Sequence, residues 1–289
     1  MRVAVLGATE SWYLHDLQRA AGERHQVYAV PFRRLQAHVS SAAPTVSSPD
    51  GALAGADAVL VRTMPAGSLE QVVFRMDALA ALAATGLPVI NPPKAIEAAV
   101  DKYLTTFRLA EAGLPVPRTI VCQTPDEALQ AFFELGQDVV LKPLFGAEGR
   151  GLVRLTDEGL AQRTFSLLVP LGAVLYLQEF VPHPGYDLRA LVIGSQVFGM
   201  KRTNPNDWRT NASRGALCLP HSLTPSEIDL ALRSSAALGA PLAGVDLLPT
   251  PDGRLLCLEV NAVPGWQALS RTLQVDIAAC VLRLLETQT

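Results

Sequence analysis

Close to its C-terminal end the chain carries the segment LLCLEVN (255–261), in which Glu259 sits between Leu258 and Val260 on what the apolar pattern marks as a mostly buried strand. An ionised carboxylate in such surroundings is very costly unless a cation meets it. The fold must therefore bring positive charge to Glu259. Side chains two apart on a strand share a face, which places the Asn261 amide beside it. Asp246, in AGVDLL (243–248), is embedded in a second apolar strand about a dozen residues earlier, a separation suited to a hairpin partner. Two carboxylates and an amide oxygen converging on one point are hard oxygen donors of the kind that hold Mg²⁺ together with nucleotide phosphates. The alternative is a buried salt bridge to one of the arginines.

The first third has a different texture. The runs RVAVL (2–6), VYAVP (27–31), AVLVR (58–62) and LPVIN (87–91) alternate with helical stretches over about 11–22 and 69–86. That alternation predicts a small α/β domain on a parallel sheet, ended by Asn91-Pro92-Pro93 because proline cannot continue a central strand. A helix is expected from Lys94 to Gly113, then the strand RTIVCQ, a capped helix from Thr124 to about Gly136, and the strands DVVLKPL and LVRL. The last third reads as a largely antiparallel sheet built from YLQEFV, LRALVI, QVFGMKR, GVDLLP and RLLCLEVN, with helices near 225–239 and 271–286.

Composition narrows the function classes. With 24 basic against 27 acidic residues and a net charge of −3, the chain of 289 residues has no general basic field to hold nucleic acid or an anionic membrane. Four cysteines lie far apart with no C-x-x-C pair, and read as reduced thiols. The longest apolar stretch, Ala78 to Ile90, is interrupted and too short to cross a bilayer. A cytoplasmic protein is expected.

Anion-handling residues nevertheless cluster locally. Lys142 precedes Gly146-Ala147-Glu148-Gly149-Arg150-Gly151, where glycines free backbone N–H groups to lie against phosphate oxygens. A tight hairpin with one snorkelling lysine is the plainer reading. YLQEFV offers a strand edge for a base, with Asp187 and Arg189 following, although such strands are usually core. KRTNPNDWRTNASRG gathers Lys201, Arg202, Arg209, Asn211 and Arg214 within one short segment. It suits an anionic ligand or a solvated loop.

In order and spacing, AVDKYLTTFRLAEAGLPVP, DVVLKPLFGAEGRG, LYLQEFVPHPGYDLRALVIG, WRTNASRG, AGVDLL and LEVNAVPG resemble the ATP-grasp superfamily, in particular its RimK-like α-L-glutamate ligase branch, and are similar also to lysine-biosynthesis carrier-protein ligases. The resemblance implies an α/β (α+β) ATP-grasp fold: an N-terminal parallel α/β domain (1–92) and two α+β subdomains (93–181 and 182–289) that clasp ATP. It implies ATP contacts at Lys102, Lys142, Gly146, Gly149 and Gly151. Glu179 and Phe180 would meet the adenine through backbone groups, Asp187 the ribose, and Arg209, Thr210 and Asn211 the phosphates. Asp246, Glu259 and Asn261 match magnesium ligands, for two ions of Mg²⁺ or Mn²⁺. Arg202 and Arg214 are candidates to stabilise the oxyanion, and Arg62 to bind a substrate carboxylate. Arg214-Gly215-Ala216 departs from relatives, which carry a second glycine there.

The activity implied is ATP-dependent ligation of a carboxylate to an amine through an acyl phosphate, adding L-glutamate to a small cofactor or metabolite or to a protein C-terminus. The partners implied are small carboxylate and amino-acid substrates and further copies of the chain, as a dimer or tetramer. The alternatives are a dipeptide or amino-acid carrier-protein ligase, or an ATP-binding regulatory protein without catalysis.

Overall fold

The computed structural model describes residues 1–40, 45–49, 51–146, 149–212 and 215–288. Its first sheet is built as the sequence pattern demands. β1 (Arg2–Leu6), α1 (Trp12–Ala21) and β2 (Gln26–Val30) are followed by a short hairpin, β3 (Gln36–His38) with β4 (Thr45–Ser47), and then by β5 (Ala58–Val61), α2 (Leu69–Ala84) and β6 (Val89–Ile90). The strands run parallel in the order β2-β1-β5-β6. Every residue of β5 is buried, which fits a central strand covered on both faces. α2 starts in a capping box between Ser68 and Gln71.

The single helix expected over Lys94 to Gly113 is two. α3 (Pro93–Val100) and α4 (Lys102–Glu111) meet at Asp101, whose extended backbone breaks the helix and whose Oδ1 accepts from the N–H groups of Tyr103 and Leu104. A side chain that caps a new helix competes with continuing the old one. The break sets Lys102 at the first position of α4. Gly113 then adopts φ +70 behind the helix end.

A second sheet follows from β7 (Thr119–Cys122), α5 (Pro125–Glu134), β8 (Val139–Lys142), β9 (Val153–Leu155), α6 (Glu158–Leu168) and β10 (Leu175–Glu179). Its order is β7-β10-β8-β9, antiparallel throughout, and Phe132, Phe165 and Leu177 fill the layer between sheet and helices. The third sheet comprises β11 (Tyr186–Ile193), β12 (Gln196–Thr203), β13 (Leu217–Pro220), β14 (Leu242–Pro249) and β15 (Leu255–Asn261), with α7 (Pro225–Leu238) inserted. It is antiparallel in the order β13-β12-β11-β14-β15.

The helix expected over 271–286 is also two, α8 (Gln267–Leu273) and α9 (Ile277–Glu286). Gln274 turns at φ +55 and Asp276 caps the second. α9 returns to the start of the chain. Ile277, Val281 and Leu285 share one core with Val3, Leu17 and, from the third sheet, Leu191 and Ile193. Asn91, at the end of the first sheet, reinforces that join: its amide donates to the carbonyls of Leu242 (2.6 Å) and Ala262, and its Oδ1 accepts from Leu242 N–H (3.0 Å). No helix among the described residues is long and apolar enough to cross a membrane.

Candidate active site

The face of the third sheet formed by β11, β14 and β15 carries the acids, Asp246 buried and Glu259 half-buried. Asp246 on β14 lies directly opposite Glu259 on β15, and Gly244 opposite Asn261. The register shifts just past Asp246, leaving Leu258 as an extra residue on β15, a bulge of the kind that re-aims side chains beside sites. On the other side Asp246 is opposite Arg189 of β11, whose Nη1 donates to Asp246 Oδ1 at 2.6 Å. The guanidinium lies over Gly244, where a Cβ would collide with it.

Arg202 on β12 completes a buried network. Its Nε and Nη2 donate to the two oxygens of Asp187 at 2.7 and 2.6 Å, and Nη2 is also 2.9 Å from Asp246 Oδ2. Burial pulls Arg202 down, but Asp246 and Asp187 together outweigh it and hold the guanidinium above its ordinary value. Burial likewise pushes Asp246 up, and Arg189 and Arg202 overcome that and hold it ionised.

Glu259 is placed differently. Among the described residues its carboxylate accepts no hydrogen bond, and burial followed by the nearby Asp246 charge pushes it above the usual range, against the pull of Lys102, Lys142 and Arg189. An undercompensated carboxylate beside a second carboxylate is a place for a cation. Asn261 adds an oxygen already oriented by Val263 N–H at 2.8 Å. Among the described residues no cluster of three His, Cys, Asp or Glu exists. Asp246 is in the buried salt bridge that the sequence left as the alternative, giving Oδ1 to Arg189 and Oδ2 to Arg202. The open donors are thus Glu259 and the Asn261 amide, and Asp246 joins them only by sharing oxygens with the arginines. Hard oxygen donors of this kind suit Mg²⁺.

Two lysines flank these acids. Lys142, at the end of β8, donates to Gln178 Oε1 at 2.6 Å, and burial brings its ammonium down to about 8. Gln178 is held in turn by Thr119 and the Tyr176 hydroxyl. Lys102 donates to the Gly146 carbonyl at 2.7 Å, tying the start of α4 to the glycine-rich turn. Burial lowers it too, opposed by Glu259 and Asp101.

The wall formed by Asp246, Leu258 and Glu259 separates two cavities that both reach Lys142 and Asn211. The smaller, about 100 Å³, is lined by Glu179, Phe180, Asp187, Arg209 and Thr210. Phe180 is covered by the Arg154 guanidinium at 3.4 Å and met edge-on by Trp208. The larger, about 770 Å³, holds Lys102, Gly146, Arg202, Asn261 and Arg62. Every expected site residue that is described therefore lines one cavity or the other, except Gly149 and Gly151, which form the turn at φ +67 and +72. Arg214 lies outside the described residues, as do Ala147 and Glu148 of the glycine-rich run.

Some expectations change. Within the 201–214 segment the one acid is Asp207. Arg209 does pair with Asp207, but Arg202 is held by Asp187 and Asp246 from neighbouring strands. Asp187 in turn gives both oxygens to Arg202, so a ribose would share an occupied carboxylate. Of the backbone donors expected to meet adenine, Glu179 N–H is taken by Arg118 O and Phe180 N–H by Asp138 O. Val181, which lines the same cavity, is the next N–H along and has no such partner among the described residues. Arg189 was named in the sequence without a role, and Gln178 was given none within YLQEFV. Arg189 stands two residues from Asp187 on one strand, so the period-two rule places both on one face.

Comparison with known proteins agrees with this geometry. A family model described as the RimK-like ATP-grasp domain matches residues 99–285. The tetrahydromethanopterin:α-L-glutamate ligase of Methanosarcina acetivorans is 33% identical over 264 residues, covering 81% of each chain. The ribosomal protein bS6–L-glutamate ligase of Escherichia coli is 28% identical over 292 residues, 99% of this chain and 96% of that one. Among solved structures, a RimK domain ATP-grasp protein from Sphaerobacter thermophilus superposes with a TM-score of 0.75 at 25% identity, covering 98% of this chain and 99% of that one. The ATP-grasp ligase PsnB, solved with a minimal precursor, Mg and ADP, gives a TM-score of 0.78 at 22% identity over 99% and 96%. Fold, site and relatives converge, and the chain belongs to the RimK-like ATP-grasp family of ATP-dependent ligases that form carbon–nitrogen bonds.

Proposed function

We propose that the protein adds L-glutamate to a carboxylate of a small-molecule acceptor, with the smaller cavity taking the base end of the nucleotide, its phosphates at the shared wall, and the larger cavity the acceptor and the amino acid. The observation that carries this reading is the shared wall. Asp246 and Glu259 face both cavities, so a γ-phosphate and an acceptor carboxylate can meet across one set of charges. A volume of about 770 Å³ is that of a site for a whole small metabolite. The relative named for tetrahydromethanopterin supports a cofactor-like acceptor.

In the first step the acceptor carboxylate attacks the γ-phosphate, forming an acyl phosphate while ADP leaves. Such a transfer asks for in-line positioning and charge neutralisation. Lys142, fixed by Gln178, and Lys102 supply positive charge to the phosphates. Asp246, Glu259 and Asn261 would hold Mg²⁺, which would supply neutralisation of the phosphate charge. In the second step the neutral amine of glutamate attacks the acyl carbon and phosphate leaves. Arg202, on the wall of the larger cavity, stabilises the oxyanion from there, together with Arg214. The glycine-rich turn at 146–151 covers the phosphates. The units we assign are 1–92, 93–181 and 182–289.

The test is incubation of purified protein with ATP, Mg²⁺ and L-glutamate against a panel of pterin and deazaflavin carboxylates and of peptides ending in glutamate. ADP release with a glutamyl mass increment on a small acceptor is expected. Activity confined to the peptides would move the acceptor to a protein terminus. Amide formation only with other amino acids would retire glutamate.

A further inference from the structure

Arg62 follows β5 at the inner end of the larger cavity, 4% exposed. Its guanidinium is sandwiched between the rings of Tyr13 and Trp266, 4.4 Å from each centroid. Nη1 donates to the Pro264 carbonyl at 3.0 Å, while Nε is buried with no partner. Among the described residues no carboxylate pairs with it. Burial brings it down to about 10, against an opposing pull from Tyr13. Removing one member of a buried ion pair is strongly destabilising because it strands a charge. Here the chain itself provides only half of the pair, with two aromatic faces in partial compensation.

The surroundings are built around this cation. Gly265, beside Pro264 and Trp266, has no room for a Cβ because the Tyr13 hydroxyl occupies the space, and a Cβ at Gly7 would press on Arg62 itself. Trp266 is fixed by its indole N–H to Asp16 at 2.9 Å. The same cavity is lined by apolar side chains, among them Ile96, Val100, Met200 and Leu269, and by Lys102 and Glu259. A ligand that suits this lining has an anion for Arg62, an apolar stem, and its reacting group beside Lys102 and Glu259.

We infer that Arg62 anchors a carboxylate of the substrate that does not react, so that the larger cavity selects a molecule bearing a carboxylate remote from the amide being made. That carboxylate belongs either to the incoming amino acid or to a second acid group on the acceptor. The inference deepens the proposed function by naming the group that sets substrate class, and rests on it only for the amino acid's identity. A guanidinium that has given only one hydrogen bond to the chain binds carboxylate through charge-assisted hydrogen bonds that a lysine does not reproduce. A purely structural Arg62 would instead only staple the 62–64 segment to Pro264.

Thermal shifts of wild type, Arg62→Met and Arg62→Lys distinguish these roles, with millimolar L-glutamate, glutarate, acetate or inorganic phosphate as probes. L-Glutamate or glutarate should stabilise wild type more than acetate or phosphate does. The shift should vanish in Arg62→Met and survive in part in Arg62→Lys, while the shift with ATP and Mg²⁺ stays the same in all three. In turnover the KM for the dicarboxylate should rise roughly ten- to a hundredfold with little change in kcat. A rise confined to L-glutamate assigns the anchor to the amino acid, and one confined to the other acid substrate assigns it to the acceptor. If Arg62→Met fails to fold, the lysine variant alone decides. Carboxylate shifts equal to wild type in a folded variant, or none in wild type, overturn the inference. Failure of the glutamate reading looks different: glutarate then stabilises through Arg62 although no glutamyl product forms.

Discussion

Arg189 and Asp246 face each other across neighbouring strands with Nη1 2.6 Å from Oδ1, and the guanidinium rests on the one position of that stretch, Gly244, that lacks a side chain. The glycine is thus part of the charge arrangement. Gly244→Ala should push Arg189 off Asp246, costing about 1–3 kcal/mol as an overpacked site and more if Asp246 is left short of a partner. Chemical denaturation reads the stability, and coupled ADP assay the accompanying loss of turnover.

Glu259→Gln is expected to spare the fold and remove activity. Burial already disfavours the ionised form of this side chain, so a neutral isostere costs the protein little. ATP turnover should fall at least a hundredfold while near-ultraviolet circular dichroism and Tm stay at or above wild type. Wild-type ADP formation by the folded variant would falsify the magnesium assignment. Asn261→Ala should lose roughly ten- to a hundredfold.

Lys142 gives a pH dependence. Its ammonium sits at about 8, below the ordinary lysine value, with Lys102 lowering it further and Glu259 and Asp246 raising it. The charged form binds phosphate, so ATP affinity should fall as pH rises through about 8. Stability moves the other way: above 8 the folded chain has released a proton that the unfolded chain keeps up to its higher value, so this group adds stability as pH rises across that window. Gln178→Leu removes the acceptor of the ammonium and should shift the midpoint of the affinity profile downward, as followed by calorimetric titration of ATP at several pH values.

Trypsin should cut after Arg150, which is exposed. A turn that covers phosphates exchanges water for nucleotide contacts, so ATP with Mg²⁺ should slow that cleavage several-fold. Equal rates with and without nucleotide would count against the covering role.

Asp101→Ala should lower stability by about 1 kcal/mol, the usual worth of a helix cap. It should also loosen Lys102, seen as weaker ATP binding at unchanged acceptor affinity.

The acids at the centre were legible because a carboxylate inside an apolar strand has few explanations, and Asp246 and Glu259 do meet across one ladder. The parallel first sheet was legible from its alternation of short apolar runs and helices. What escaped depends on local competition or on distance. Asp101 ends one helix and begins another with its own side chain, and no change in hydrophobic period marks the spot. α6 carries Gly159 in its first turn, which dilutes its helical signal, although Asp157 caps it. β13 has three of its four residues exposed and ends in proline, so it reads as a loop. Arg62 was singled out to bind a substrate carboxylate, but its rings come from Tyr13 and Trp266, far from it in the chain, so its burial between them was not legible.

The wall between the two cavities has an evolutionary consequence. The first sheet and the segments after its strands contribute Tyr13, Arg62, Thr63 and Met64 to the larger cavity and nothing to the smaller, whose lining begins at Pro117. With the cavities assigned as proposed, mutations drifting through the first hundred residues retune which acid is accepted without disturbing how the nucleotide is held. A lineage with this layout can change its customer while keeping its engine.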